Sequence, residues 1–173
     1  MKELRDLIAD VPGFPKPEIV FKDITPMLRS PEGLALAVDT IASEYAERSI
    51  EVVAAVESRG FIFGTGVAYR MGVGFVPMRK PGKLPRDTIS ATYELEYGTD
   101  TIEMHSDAVE PGTRVLLVDD LLATGGTMEA ACRLVEQVGG EVVACAFVIE
   151  LDFLKGRERL GGREVFSLVH YGD

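Results

Sequence analysis

Four apolar runs bounded by charge or glycine constrain the fold most: EVVAAVE (51–57), GVGFVPM (72–78), RVLLVDD (114–120) and EVVACAFVIE (141–150). Continuous apolar stretches of this kind, without alternation, are the pattern of strands buried on both faces. Between them lie segments of helical character. SRGFIFG opens a small-residue helix through Ala68 and Met71, and a Gly-Gly turn opens another with Met128, Ala131, Cys132, Val135 and Val138 inward. Buried strands alternating with helices predict an α/β fold: a mostly parallel central sheet flanked by helices on both faces, with FSLV (166–169) at its edge. Upstream, Leu4, Leu7 and Ile8 predict a helix over 3–10, broken by Pro12, Gly13, Pro15 and Pro17. Residues 19–28 read as an extended segment and a turn, with Pro26 stopping any helix through them. Ser30 and Pro31 then cap and start a helix whose inner face carries Leu34, Ala37, Val38, Ile41, Ala42 and Tyr45. RKPGKLPRDTISAT (79–92) has no periodicity and reads as a long mobile loop. TYELEY and TIEMH alternate around Gly98–Asp100 as an antiparallel hairpin.

A chain of 173 residues is one domain with a sizeable core. Its net charge of −10 argues against a dedicated nucleic-acid binder, since phosphate backbones attract the opposite sign. Cys132 and Cys145 are too few and too far apart for a disulfide framework or a CxxC pair, and read as core residues of a reducing compartment. Two histidines, His105 and His170, leave little for a histidine metal site; with Met104 they read as packing residues. No membrane-length apolar run and no signal-peptide core are present, so a cytoplasmic protein is expected.

The charge is unevenly spread. From Ser58 to Arg86 there is no Asp or Glu, while Arg59, Arg70, Arg79, Lys80, Lys83 and Arg86 fall inside the window. Such a gap suits a pocket for a strongly anionic ligand. In parallel sheets ligands sit beyond the carboxyl ends of the strands, so the loops there carry the chemistry. After the strand at 114–118 come Asp119, Asp120, Leu121, Leu122, Ala123, Thr124, Gly125, Gly126 and Thr127. Two adjacent carboxylates repel unless a cation or hydroxyl donors use them. A Thr-Gly-Gly-Thr run opening a helix offers bare amides and two hydroxyls to a phosphate. Acids for hydroxyls beside a phosphate cradle describe a sugar phosphate. The GxxxxGK spacing of a Walker loop is missing. A second strand-to-helix loop, Glu57-Ser58-Arg59-Gly60-Phe61, reads either as an anion loop or as a helix cap with a surface arginine. The third, 79–92, reads as a solvated loop or as a lid closing over the anion with Lys80, Lys83 and Arg86.

Taken whole, VLLVDDLLATGGT (115–127) resembles the phosphoribosyl-diphosphate motif of type I phosphoribosyltransferases. VFKDITPML, ESRGF, RKPGKLPRDT, YELEYG and ELDFLKGRERL resemble segments of the adenine phosphoribosyltransferases in the same order. The resemblance implies the type I phosphoribosyltransferase fold over 1–173, with a small N-terminal hood at 1–30 and a flexible lid hairpin at 79–98. It implies purine salvage: adenine and phosphoribosyl diphosphate give AMP and diphosphate, with Mg²⁺ as cofactor. By the same resemblance Asp119 and Asp120 hold the ribose hydroxyls and help place the metal, which is otherwise held through substrate oxygens. Ala123, Thr124, Gly125, Gly126 and Thr127 cradle the 5′-phosphate. Ser58 and Arg59 bind the pyrophosphate portion, and Arg59, Lys80 and Lys83 stabilise the leaving group. Glu96 matches the glutamate that accepts adenine's ring proton. Val20 and Lys22 match positions that read adenine through backbone groups; Phe21 walls the base, and Arg59 touches it. A homodimer is implied, with the helix at 61–71 in its interface. Two other readings remain open here: a transferase for hypoxanthine, guanine or xanthine, and a non-catalytic nucleotide-binding regulator.

Overall fold

The computed structural model describes residues 3–94 and 98–172. Its centre is a five-stranded parallel sheet in the order β4-β3-β7-β8-β9, formed by Val52–Val56 (β3), Gly74–Met78 (β4), Arg114–Leu122 (β7), Glu141–Leu151 (β8) and Val165–Tyr171 (β9). The β7 strand, rich in Val and Leu, takes the central position, with Leu117 level with Ala54 on one side and Cys145 on the other. Period-two alternation sends Ala54, Val56, Leu117 and Phe147 to one face and Val53, Leu116, Val118 and Val148 to the other, and both sets are buried. The first face is covered by Gly126–Gln137 (α4) and by an antiparallel hairpin of Thr88–Glu94 (β5) and Thr99–His105 (β6). The second is covered by Thr25–Arg29 (α1), Pro31–Glu44 (α2) and Arg59–Met71 (α3). Helices thus flank both faces, as the alternating pattern predicts.

Ser30 caps α2 through an oxygen that accepts the Gly33 amide at 3.1 Å, and Ala37, Ile41, Ala42 and Tyr45 are buried beneath that helix. Cys132 and Cys145 face each other in the core as free thiols, Sγ to Sγ 3.7 Å. Among the described residues no helix is long and apolar enough to cross a membrane.

Four local expectations need correction. The helix expected over 3–10 is only a 3₁₀ turn at Leu4–Leu7. Ala9–Pro12 (β1) is instead drawn into antiparallel pairing with Val20–Asp23 (β2). Pro26 does not stop a helix but lies in the first turn of α1, where proline's missing amide has no intrahelical partner to lose. The Asp23 carboxylate serves that helix start by accepting the Thr25 amide at 2.9 Å and its hydroxyl at 2.7 Å. The aperiodic loop ends at Thr88 rather than Thr92, because Ala91 and Tyr93 share one buried side of β5 over α4. Finally, Asp119 and Asp120 do not follow the strand: they are part of β7, which runs on to Leu122.

Candidate active site

A cavity of about 390 Å³ opens where β3 and β7 end and α3 and α4 begin. The β7 strand delivers its acid pair into the wall. Asp120 is 8 % exposed, and its Oδ2 forms an ion pair with the Arg59 Nε at 2.6 Å. Asp119 Oδ1 accepts the Asp120 amide at 2.8 Å, and the first turn of α3 packs so close to it that only glycine fits at Gly60. Burial first, and the Asp120 charge second, push the Asp119 carboxyl well above the ordinary carboxylate pKa. One guanidinium serves two carboxylates, so the pair is short of positive charge.

Beyond Leu122, residues 123–125 turn the chain into α4. Gly125 adopts φ +83°, a left-handed conformation that favours glycine. The N-cap residue Gly125 has no side chain to cap α4, so the helix's first-turn amides have no capping partner among the described residues, and Thr124 and Thr127 stand beside them on the cavity wall. The turn is braced from behind by Gly156, the first residue of Gly156–Arg159 (α5). A Cβ there would lie 2.3 Å from the Ala123 carbonyl oxygen.

The remaining wall holds Glu57, Ser58, Lys80, Tyr93 and Asp100. Lys80 Nζ pairs with Asp100 Oδ2, and the Tyr93 hydroxyl lies 3.5 Å from Nζ and 3.3 Å from that oxygen. Glu57 accepts the Lys80 amide at 2.6 Å and an Arg79 Nη at 3.2 Å, and Lys83 Nζ lies 3.5 Å away. Burial opposes the Glu57 charge, but the Lys80 amide and the two cations together hold its pKa below the ordinary value.

The cavity therefore gathers Ser58, Arg59, Lys80, Asp119, Asp120 and residues 123–127. Lys83 stays behind Glu57, outside the wall. Val20, Phe21 and Lys22 also stand apart from the cavity, although the Phe21 ring lies 5.3 Å from the Arg59 guanidinium. The Lys22 side chain turns to Asp10 at 2.6 Å and over the Tyr171 ring. Glu96 lies outside the described residues. Tyr93, Asp100 and Gly156 escape a reading of the sequence. The first two sit in an ordinary-looking hairpin, and the third belongs to a segment distant along the chain.

The acid-free window takes on a different meaning in three dimensions. All six of its cations are matched by acids from outside it: Arg59 by Asp120, Arg70 by Asp39, Arg79 and Lys83 by Glu57, Lys80 by Asp100, and Arg86 by Asp107. Five acids meet the six cations, with Glu57 shared by Arg79 and Lys83, so the window is a lattice of ion pairs rather than a bare positive pocket.

Glu150, Asp152 and His170 bring ligand-type atoms within 4.8 Å of one another elsewhere on the sheet. Glu150 is saturated by Arg157, whose Nε and Nη2 donate at 2.6 and 2.8 Å, and by Ser167 at 2.6 Å. This group is an ion-pair network. His170 belongs to it through Asp152 at 2.9 Å and is not a packing residue, whereas Met104 is fully buried.

The profile of the phosphoribosyl transferase domain matches residues 27–166. An adenine phosphoribosyltransferase of Acidobacterium capsulatum is 56 % identical over 98 % of this chain and 94 % of its own. The crystal structure of adenine phosphoribosyltransferase from Thermoanaerobacter pseudethanolicus superposes with a TM-score of 0.94 at 50 % identity, covering 97 % of this chain and 98 % of that one. The Saccharomyces cerevisiae enzyme, solved with an imino-altritol bisphosphate and adenine, is 43 % identical with a TM-score of 0.90, covering 95 % of this chain and 96 % of that one. With this coverage and identity, the chain belongs to the phosphoribosyl transferase family and, within it, to the adenine phosphoribosyltransferases.

Proposed function

We propose that this chain transfers the phosphoribosyl group of phosphoribosyl diphosphate to adenine, releasing diphosphate and forming AMP. The observation that carries the reading is the junction of β7 and α4: an acid pair and an uncapped, glycine-opened helix start share one cavity with Arg59 and Lys80. The bisphosphate and adenine carried by the yeast relative support the substrate class.

In this scheme the amides of residues 125–127, with the Thr124 and Thr127 hydroxyls, hold the 5′-phosphate, and Ala123 shapes the turn that aims them. Asp119 and Asp120 accept hydrogen bonds from the ribose hydroxyls. As the bond from ribose C1 to the diphosphate oxygen breaks, positive charge grows on the sugar and negative charge on the leaving group. The two carboxylates lie toward the first, and Arg59, Lys80 and the Ser58 loop toward the second. Lys83 adds to the leaving-group field when it exchanges Glu57 for phosphate. The new bond joins adenine N9 to C1, and the ring proton passes to Glu96. Phe21 and the backbone of Val20 and Lys22 border the base.

The acid pair suits a hard divalent cation such as Mg²⁺: two oxygen donors, short of positive charge, stand beside a phosphate site. Asp119 and Asp120 would hold it together with substrate oxygens, and the ion supplies charge neutralisation to the diphosphate. The chain pairs with a second copy through α3, where Tyr69 is 89 % and Ile62 42 % exposed one heptad apart on the same side. Two free core thiols suit a cytoplasmic setting.

The test is a panel of bases offered with phosphoribosyl diphosphate and Mg²⁺. AMP should form from adenine far faster than IMP or GMP from hypoxanthine or guanine. Equal use of hypoxanthine moves the chain to another purine, and ligand binding without turnover makes it a regulator.

A further inference from the structure

The pairing of every cation in the acid-free window has a consequence for how a diphosphate enters. A ligand carrying several negative charges meets no free cation among these six, and each that it uses must give up a carboxylate. The three pairs at the cavity differ in what holds the acid. The Asp120 and Glu57 side chains are only 11 % and 12 % exposed, so burial in the wall keeps them in place, and Glu57 also accepts the Lys80 backbone amide at 2.6 Å. Asp100 is different. It sits on β6 with a side chain 31 % exposed, its Oδ1 accepts the Thr101 amide at 2.8 Å, and its Oδ2 is turned to Lys80 and the Tyr93 hydroxyl. Burial works against the Asp100 charge, but the Lys80 ammonium, the Thr101 amide and Tyr93 hold its pKa below the ordinary value, while Lys80 is held above its own. Both groups are charged at neutral pH. They line the same cavity as the start of α4, so Lys80 is aimed at the phosphate region with its charge already cancelled.

We propose that Asp100 is the resting counter-ion of Lys80, that diphosphate binds by taking Lys80 from it, and that Asp100 thereby makes the site favour diphosphate complexed with a divalent cation over the free anion. The proposal rests on the transferase reading above. Its physics is like-charge repulsion. A bare diphosphate seated on Lys80 lies close to a carboxylate that has just lost its partner, whereas a diphosphate already neutralised by metal repels it far less. Asp100 is then a specificity-determining residue, reached from the far strand of the hairpin rather than from the loops that hold the substrate.

Calorimetric titration with inorganic diphosphate, with and without Mg²⁺, tests this on the intact protein and on Asp100→Asn. Asparagine keeps the shape and the oxygen that accepts the Thr101 amide, and the melting temperature checks that the fold is kept. Without metal, the variant should bind diphosphate about tenfold tighter, the lower end of what a unit charge does to a neighbouring charge over ~4–6 Å. With saturating Mg²⁺ the gain should shrink to about twofold or less. If wild type binds diphosphate and the variant binds the free anion no tighter, the counter-ion role is wrong while the transferase reading stands. An equal gain with and without metal likewise removes the metal preference. If wild type takes diphosphate under neither condition, the transferase reading fails and this proposal falls with it.

Discussion

Gly156→Ala isolates the brace behind the phosphate cradle. The added Cβ would stand 2.3 Å from the Ala123 carbonyl oxygen and 2.8 Å from Leu122 Cδ1. Restoring an ordinary contact requires the Ala123 carbonyl, or α5, to retreat by about 1 Å. Overpacking of this kind costs ~1–3 kcal/mol. Alanine's helix preference over glycine returns at most ~1 kcal/mol at this first helical position. The net loss of ~0–2 kcal/mol corresponds to a fall in Tm of at most about 8 °C for a chain of this length. Function should suffer far more, because the displaced atoms belong to the turn that aims the α4 amides, and a 1 Å misplacement costs about 100-fold in rate. Steady-state kinetics with phosphoribosyl diphosphate as varied substrate, alongside a thermal melt, reads both quantities. A folded variant with kcat/KM within threefold of wild type would refute the view that the α5 start holds the cradle in place.

Two further outcomes follow from contacts remote from the chemistry. Arg157→Met leaves Glu150, 3 % exposed, with the Ser167 hydroxyl and the more distant His170 ring at 3.8 Å, and should cost roughly 3 kcal/mol, the low end for a broken buried pair because Arg157 is half-exposed. In the wild type Arg157 and Ser167 outweigh burial and hold the Glu150 pKa below 4.5, so its contribution is present above that pH and is lost as pH falls through the folded pKa. In the variant burial raises the pKa instead, so the gap between the two melting curves should narrow from pH 7 towards pH 4; a constant gap would count against the pairing. Tyr69→Glu alters a residue 89 % exposed in the single chain and should leave the fold intact by circular dichroism, while lowering the melting temperature by whatever the partner subunit contributes. On the proposed pairing through α3, sedimentation should show a dimer for wild type and a monomer for the variant; a dimer in both would move the interface off α3, and a monomeric wild type would remove the pairing.

Much of this was legible before any coordinates. The VVAAV, VLLV and VACAFVI runs admit little but doubly buried strands, and Asp119-Asp120 before Thr-Gly-Gly-Thr points to the strand-to-helix junction that lines the cavity, although β7 itself runs on to Leu122. What stayed hidden was pairing across distance. Lys80 and Asp100 lie twenty positions apart and meet only because β6 folds back beside β5. The acid-free window supplies Ser58, Arg59 and Lys80 to the cavity wall, yet most of its positive charge is matched by acids that a linear charge count assigns elsewhere. Local propensity failed where tertiary pairing was stronger, as at Ala9 and Asp10, the end of the helix expected over 3–10, which pair with Asp23 and Lys22 instead. Gly156 carried no local signal at all, since its role is to leave room for a carbonyl thirty-three residues away.

On the proposed reaction the two β7 acids serve the substrate and not the fold. Asp119 is half-buried beside Asp120, and desolvation and the Asp120 charge raise its pKa, so it retains a proton to higher pH in the folded chain than in the unfolded one. Its stabilisation is full below the unfolded value near 3.8 and is lost as pH rises through the folded pKa. At neutral pH the fold therefore gains nothing from its charge. Asp120 loses only a pair with Arg59, which is 42 % exposed, a contact worth ~1 kcal/mol or less. The double variant Asp119→Asn, Asp120→Asn should accordingly melt within about 5 °C of wild type. Its AMP formation from adenine and phosphoribosyl diphosphate should fall by at least about 100-fold. A folded double variant that still makes AMP at close to the wild-type rate would contradict the account.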